Sequence, residues 1–209
     1  MQSKIETIDQ NRPSFIETAR RAQIIECAID TIAELGFAQA SLAQIAKRAG
    51  VSTGVISYYF AGKDDLIREV VAHVFETGEA FIRPQVDIGD NPRVTLLTFI
   101  KASVAFIGAH PNHPLAVMGV IRAGRTESGA LRYDPEVEES RRTGFRSILE
   151  WGQREGAFRP FDVEVMGGTI IEALDLIPQR LASDPKLDID AYARELVELF
   201  DRATRSDPT

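Results

Sequence analysis

The chain is 209 residues long, enough for one or two domains with a sizeable core, and its 44% hydrophobic and 26% charged residues are ordinary for a globular protein. It has no run of 18 apolar residues, its opening MQSKIETIDQNRPS lacks the apolar core of an export signal, and its one cysteine, Cys27, cannot make an internal disulfide; a cytoplasmic protein without a membrane span is expected. The net charge of −7 speaks against nucleic acid, but residues 1–63 carry seven Lys/Arg and six Asp/Glu, and the local patch governs groove binding.

Helical spacing defines the elements. A mobile arm to about Ser14 precedes a first helix ending at Leu35, with Ile25, Ile29, Ile32 and Leu35, joined by Ala22 and Ala28, on one face. Cys27, beside Ile24, Ile25 and Ala28, reads as packing. Ser41 suits the N-cap of a second helix, with Gln44 as its capping-box partner and Leu42, Ile45 and Ala46 as its apolar face. Ala49-Gly50-Val51 forms a turn in which Gly50 takes the left-handed conformation. Ser52 then caps a third helix whose Val55, Ile56 and Tyr59 point inward, leaving Thr53, Gly54, Ser57 and Tyr58 outside. Residues 41–63 thus spell a helix-turn-helix, which lays its second helix in a DNA groove.

This stretch resembles the DNA-binding domain of TetR-family transcriptional regulators. The resemblance covers roughly residues 14–80 and rests on the helix Ile25 to Leu35, the Gly36-Phe37 step, the helix-turn-helix from Ser41 to Tyr58, Tyr59-Phe60, and Lys63 opening a fourth helix. It departs from the pattern at Ser57 and Tyr58, where relatives often carry an aromatic followed by His; this bears on operator sequence, not on DNA binding itself. The resemblance implies that Tyr59 contacts a phosphate. Amides at the starts capped by Ser41 and Ser52, and the helix start at Lys63, are natural phosphate sites. Thr53, Ser57 and Tyr58, beside Gly54, are candidates for base edges or a thymine methyl. The recognition helix holds no Arg, Asn or Gln, so DNA shape carries more of the readout. Arg12, Arg20, Arg21, Lys47, Arg48 and Lys63 could supply a basic patch, with Arg12 reaching a minor groove.

The fourth helix carries Leu66, Ile67, Val70, Val71, Val74 and Phe75 and should end before Pro84. Residues 84–92 read as a linker. Asn91-Pro92 opens a helix to about 109, with Leu96, Phe99, Ile100, Val104 and Phe106 inward. HPNHP at 110–114 breaks the chain before a helix over 115–123. The segment GRTESGALRYD is looser, with partial helix. Asp134-Pro135 starts a helix through Trp151 to Gly156, its acidic run Asp134 to Glu139 matching a helix N-terminus. A helix over about 162–182 is bent or shortened by Pro178, and a last one opens at Asp188 or Asp190 and ends near Arg205. Strand periodicity is absent. The expected fold is all-α with about nine helices: a helix-turn-helix domain over 1–63, a connecting helix over 64–83, and a helical ligand-binding and dimerisation domain over 84–209.

A single head makes few contacts, whereas a two-fold dimer reads two half-sites of an operator in double-stranded DNA. The resemblance implies that the last two helices form a four-helix bundle with a second copy, through a seam of Gly167, Gly168, Ile170, Ile171, Leu174, Ile177, Leu196, Val197, Leu199 and Phe200. Adjacent glycines cost roughly 1 kcal/mol each against Ala, pointing to a close helix approach or a kink. An effector pocket would draw on Phe99, Phe106, Met118, Ile121, Trp151 and Met166, with His110, His113, Arg122, Arg125, Glu172 and Asp175 as polar candidates, and suits a small, mainly hydrophobic molecule. His110 and His113, separated by prolines and with no Cys or nearby carboxylate, read as loop histidines, not metal ligands. No phosphate loop, dinucleotide pattern or nucleophile elbow supports an enzyme, and no cofactor is expected. The reading is a ligand-responsive DNA-binding regulator; the same fold serves repression or activation, and a small-molecule carrier would leave the helix-turn-helix idle.

Overall fold

The computed structural model describes residues 15–126 and 128–206. Among these lie ten α-helices: α1 (Phe15–Leu35), α2 (Leu42–Ala49), α3 (Thr53–Tyr59), α4 (Lys63–Ile82), α5 (Pro92–Ala109), α6 (Asn112–Ala123), α7 (Pro135–Arg154), α8 (Val163–Asp175), α9 (Ile177–Ser183) and α10 (Ile189–Thr204). Arg83–Gln85 adds a 3-10 turn after α4. The arm with Arg12, and Ser14 at the start of the first helix, lie outside the described residues.

Local chemistry accounts for most boundaries. Asn91 accepts from the amides of Arg93 and Val94, with Pro92 at the first helical position, where its missing N–H has no intrahelical partner to lose. Asp134, Asp162 and Asp188 cap α7, α8 and α10 in the same way, each accepting an amide two or three residues on. Two boundaries depart from expectation. The α6 helix begins at Asn112, three residues early, because Pro114 falls in the first turn, where proline breaks no hydrogen bond. Residues 124–126 and 128–134 are not helical: Arg125 and Leu131 pair as an isolated antiparallel bridge, closed by Thr126 N–H donating to Ala130 C=O at 2.8 Å. Pro178 divides the expected 162–182 helix into α8 and α9, which meet at Leu176.

Two apolar cores organise the chain. The first joins Ile24, Ile25, Ala28, Ile29 and Ile32 of α1 to Ile45, Ile56 and the buried face of α4, and takes Ala116, Val117 and Val120 from α6. The head is therefore sealed by helices that follow it in sequence. On α1, Ile24 joins the core, whereas Leu35 is exposed, as is Ala22. The second core gathers Leu96, Ile100 and Val104 of α5 with residues of α7 to α10. The α5 helix, with a mean hydropathy of 1.3, is long and apolar enough to cross a membrane; half of it is buried inside this core.

Most of the expected dimer seam packs into this second core, while Leu199 and Gly168 of that seam face outward. Gly167, Ile170, Ile171, Leu174, Ile177, Leu196 and Phe200 are buried within a single chain, between α8, α10 and their neighbours, so they offer no surface to a partner. What α8 and α10 turn outward is Val165 at 67% exposure and Leu199 at 58%, with Leu176, at the junction of α8 and α9, at 48%. Gly168 also borders open space. The period of a helix finds its apolar face but does not say whether its own chain or a second copy covers it.

Candidate nucleic-acid interface

The helix-turn-helix is built by its caps. Ser41 Oγ accepts from the Gln44 amide and Ser52 Oγ from the Val55 amide, each at 3.3 Å. Between the helices Gly50 adopts φ +66°, and its amide and that of Val51 return to carbonyls of α2, closing the turn. Ile45 and Ile56 are wholly buried, which fixes the angle between α2 and α3.

That packing leaves Thr53, Gly54, Ser57 and Tyr58 exposed along one face of α3. Ser57 Oγ donates to the Thr53 carbonyl at 3.1 Å, so its lone pairs face outward. Tyr58 is 73% exposed and its hydroxyl donates to Glu17 Oε1 at 3.3 Å. The Glu17 charge pushes the Tyr58 phenol above its ordinary pKa, so it remains a donor. Tyr59 stands edge-on to Tyr58 with ring centroids 5.0 Å apart, half-buried against the head core. It anchors α3 on one side and borders the exposed face on the other.

The structure revises the basic patch. Lys63 Nζ turns back to the Phe37 carbonyl at 3.1 Å and lies 4.4 Å over the Phe37 ring. Burial pushes its pKa below the ordinary value, and the adjacent Arg132 charge adds to that. Its ammonium therefore holds the start of α4 to the turn after α1 before it can serve DNA. Arg21 pairs with Glu69 at 2.9 Å, and Arg48 with Glu34. Arg20 donates to Gln23, and Lys47 is exposed with no ion pair among the described residues. Of the five described candidates, Arg20 and Lys47 thus keep a charge with no carboxylate partner among the described residues.

The body residues proposed to line a pocket do not converge. Phe99 stacks on Phe145 at 4.7 Å, and Met166 packs on the second core. Phe106 instead faces Phe81 and His110, its ring 5.7 and 5.2 Å from theirs. Asp175 is paired with Arg141 at 2.7 Å, Arg122 lies against the Gln179 amide of α9, and Glu172 and Arg125 face solvent. Met118, Ile121 and Trp151 are half-buried on α6 and α7. A depression of about 520 Å³ is an open groove along α7 lined by Glu136, Glu139, Ser140, Thr143, Gly144 and Ser147, none of them among those residues.

Comparison with known proteins matches the head by family profile and nearly the whole chain by fold. The profile of the bacterial regulatory proteins of the tetR family matches residues 24–70, from α1 through the helix-turn-helix into α4. The chain is 40% identical over 89 residues to the HTH-type transcriptional regulator BetI of Stenotrophomonas maltophilia, a match covering 42% of this chain and 45% of that protein. It is 34% identical over 116 residues to BetI of Escherichia coli O45:K1, covering 48% and 60%. The chain thus spans about half the length of the curated relatives it matches. Among solved structures, the ketosteroid transcriptional regulator KstR2 of Mycobacterium tuberculosis superposes with a TM-score of 0.75 at 21% identity, over 90% of this chain and 96% of that one. A regulatory protein of the tetR family from Rhodococcus RHA1 gives 0.78 at 21% identity, over 90% and 98%. At these identities the likeness is one of fold. The head thus matches the tetR-family profile over residues 24–70, and the whole chain shares the all-helical fold of these regulators.

Proposed function

We propose that the protein is a cytoplasmic, homodimeric repressor that grips a near-palindromic operator with two copies of α3 and leaves it when a small, mainly hydrophobic effector binds the body. The observation carrying this reading is the face of α3: Thr53, Gly54, Ser57 and Tyr58 are exposed while their neighbours Val55, Ile56 and Tyr59 hold the helix in place. Exposed hydroxyls and an aromatic ring on a rigidly docked helix suit a groove.

Dimerisation is supported by the apolar surface that α8 and α10 leave uncovered at Val165, Leu176 and Leu199. Two heads so joined would reach half-sites about 34 Å apart, one turn of DNA. An apolar effector is supported by two proteins that share the fold, the ketosteroid regulator above and the fatty acid degradation regulator FadR of Bacillus halodurans. Because Phe99 and Met166 are packed, the effector must part α5, α7 and α8 to bind, and that strain can displace the heads.

A selection of genomic fragments by the purified protein, at near-physiological salt with excess competitor DNA, tests this. Recovery of a shared near-palindromic site is expected. Salt-sensitive binding without an enriched sequence, or no binding, would overturn the reading.

A further inference from the structure

The chain has three histidines, His73, His110 and His113, and the fold brings all of them into one neighbourhood where α1, α4 and α6 meet. Glu26 of α1 reaches the same place. His73 Nε2 lies 2.8 Å from Glu26 Oε1, and His113 Nε2 lies 3.6 Å from that same oxygen. One ligating atom from each of Glu26, His73 and His113 falls within 4.8 Å of the other two. The carboxylate that HPNHP lacks locally is thus supplied from 87 residues away, which corrects the reading of His113 as a plain loop histidine.

These distances suit a small divalent ion. Four bonds of about 2.0–2.1 Å in a tetrahedron place ligand atoms about 3.4 Å apart. Seating an ion here requires changes on the order of 1 Å, within the reach of side chains. His113 is 9% exposed, so its imidazole is held in place by the surrounding packing. One turn along α1 from Glu26, Asp30 accepts from the Asn112 side chain at 2.8 Å, and Phe106 stands edge-on to His113, so α1 and the ring are braced. A hydrogen bond between Glu26 and His73 explains one of these contacts. It does not explain a second, buried imidazole directed at the same oxygen.

We propose that Glu26, His73 and His113 form a transition-metal site of the Zn²⁺ type, with three protein ligands and a fourth position open to water. Two imidazoles and one carboxylate without a thiolate match Zn²⁺ and its borderline neighbours, and are unsuited to Ca²⁺ or Mg²⁺. The ion would tie the first helix of the head to the connector α4 and to α6. Any effect on operator grip rests on the regulator reading above; the site itself does not.

The test uses untagged full-length protein, stripped with chelator and titrated with Zn²⁺ and, for its visible spectrum, with Co²⁺. One ion per chain, a raised Tm and the absorption bands of four-coordinate Co²⁺ are expected. His73→Gln and Glu26→Gln, both at partly exposed positions, should fold as the parent does and each weaken binding about tenfold or more. His113→Gln should do the same, with the other two guarding against a folding defect at its buried site. Absence of a stoichiometric ion in the parent protein, or affinity retained in both His73→Gln and Glu26→Gln, would overturn the site. Operator binding is measured separately. Loss of it with an intact Co²⁺ spectrum would count against the regulator reading and leave the site standing.

Discussion

The Arg132 guanidinium lies 2.6 Å from the Asp64 carboxylate, joining the loop after α6 to the first turn of α4. It also lies 4.8 Å over the Phe37 ring, the same ring that Lys63 covers. Its side chain is 16% exposed, and its Nε is buried without a partner among the described residues. Body and head are therefore held together at one aromatic residue through two cations and one carboxylate. Arg132→Ala should lower unfolding stability by about 1–2 kcal/mol, since it removes a charge-assisted hydrogen bond and the packing of a long stem. Urea denaturation of parent and variant checks this; a loss below about 0.5 kcal/mol would mean that the pair behaves as a solvated surface bridge.

What the sequence disclosed and what it concealed divide by range. Ser41, Ser52, Asn91, Asp134, Asp162 and Asp188 all cap the helices expected of them, because a cap is decided within three or four residues. The exposed face of α3 was legible for the same reason. The cluster at Glu26 was not, because α1, α4 and α6 contribute one ligand each from distant parts of the chain. That Lys63 turns back onto the Phe37 ring was not legible, because the two residues lie 26 positions apart. The buried faces of α8 and α10 look alike in periodicity whether they pack inward or across an interface.

Acid should expose the bond between Arg93 of α5 and Asp201 of α10. The Arg93 fork reaches both carboxylate oxygens, with Nη2 at 2.7 Å from Oδ2, and holds the Asp201 carboxyl below its ordinary pKa. A carboxyl with a depressed folded pKa contributes stability that is present above its unfolded value, near 4, and is lost as pH falls through the folded value. Asp201→Asn should therefore cost stability at pH 7, by about 1 kcal/mol, and its deficit against the parent should shrink as pH is lowered below about 4. Thermal melts across pH 3–7 measure it. A deficit that stays constant with pH would show that the ion pair is not the source.

Gly152 is a position where no side chain fits. It is buried in α7, and a methyl group there would overlap the Phe158 ring, itself 3% exposed. The backbone cannot carry the ring away, because the chain is tied there: Phe158 N–H donates to the Gly152 carbonyl at 3.0 Å, and Arg159 and Ser206 link this segment to the end of α10. Helix propensity alone favours Ala over Gly by up to about 1 kcal/mol. Overpacking costs about 1–3 kcal/mol and should win. Gly152→Ala is expected to lower the midpoint of chemical unfolding; an unchanged or higher midpoint would mean that the α7–α8 loop moves aside freely.

Gly168, one helical position from the buried Gly167, gives the opposite prediction for the single chain. A Cβ there meets nothing within 4 Å, and the residue lies in the interior of α8. In an isolated chain Gly168→Ala should be neutral or stabilising, by up to about 1 kcal/mol. A glycine kept at that cost on an outward face bordered by the exposed Val165 suggests a second helix passing close to it. If that helix belongs to a second copy of the chain, the methyl group should weaken the dimer by about tenfold, the equivalent of 1.4 kcal/mol, while leaving the dilute chain no less stable. Sedimentation across a concentration series, with melts at the lowest concentration, separates the two effects. A dimer of unchanged affinity together with a higher melting temperature would place Gly168 in solvent and move the interface elsewhere.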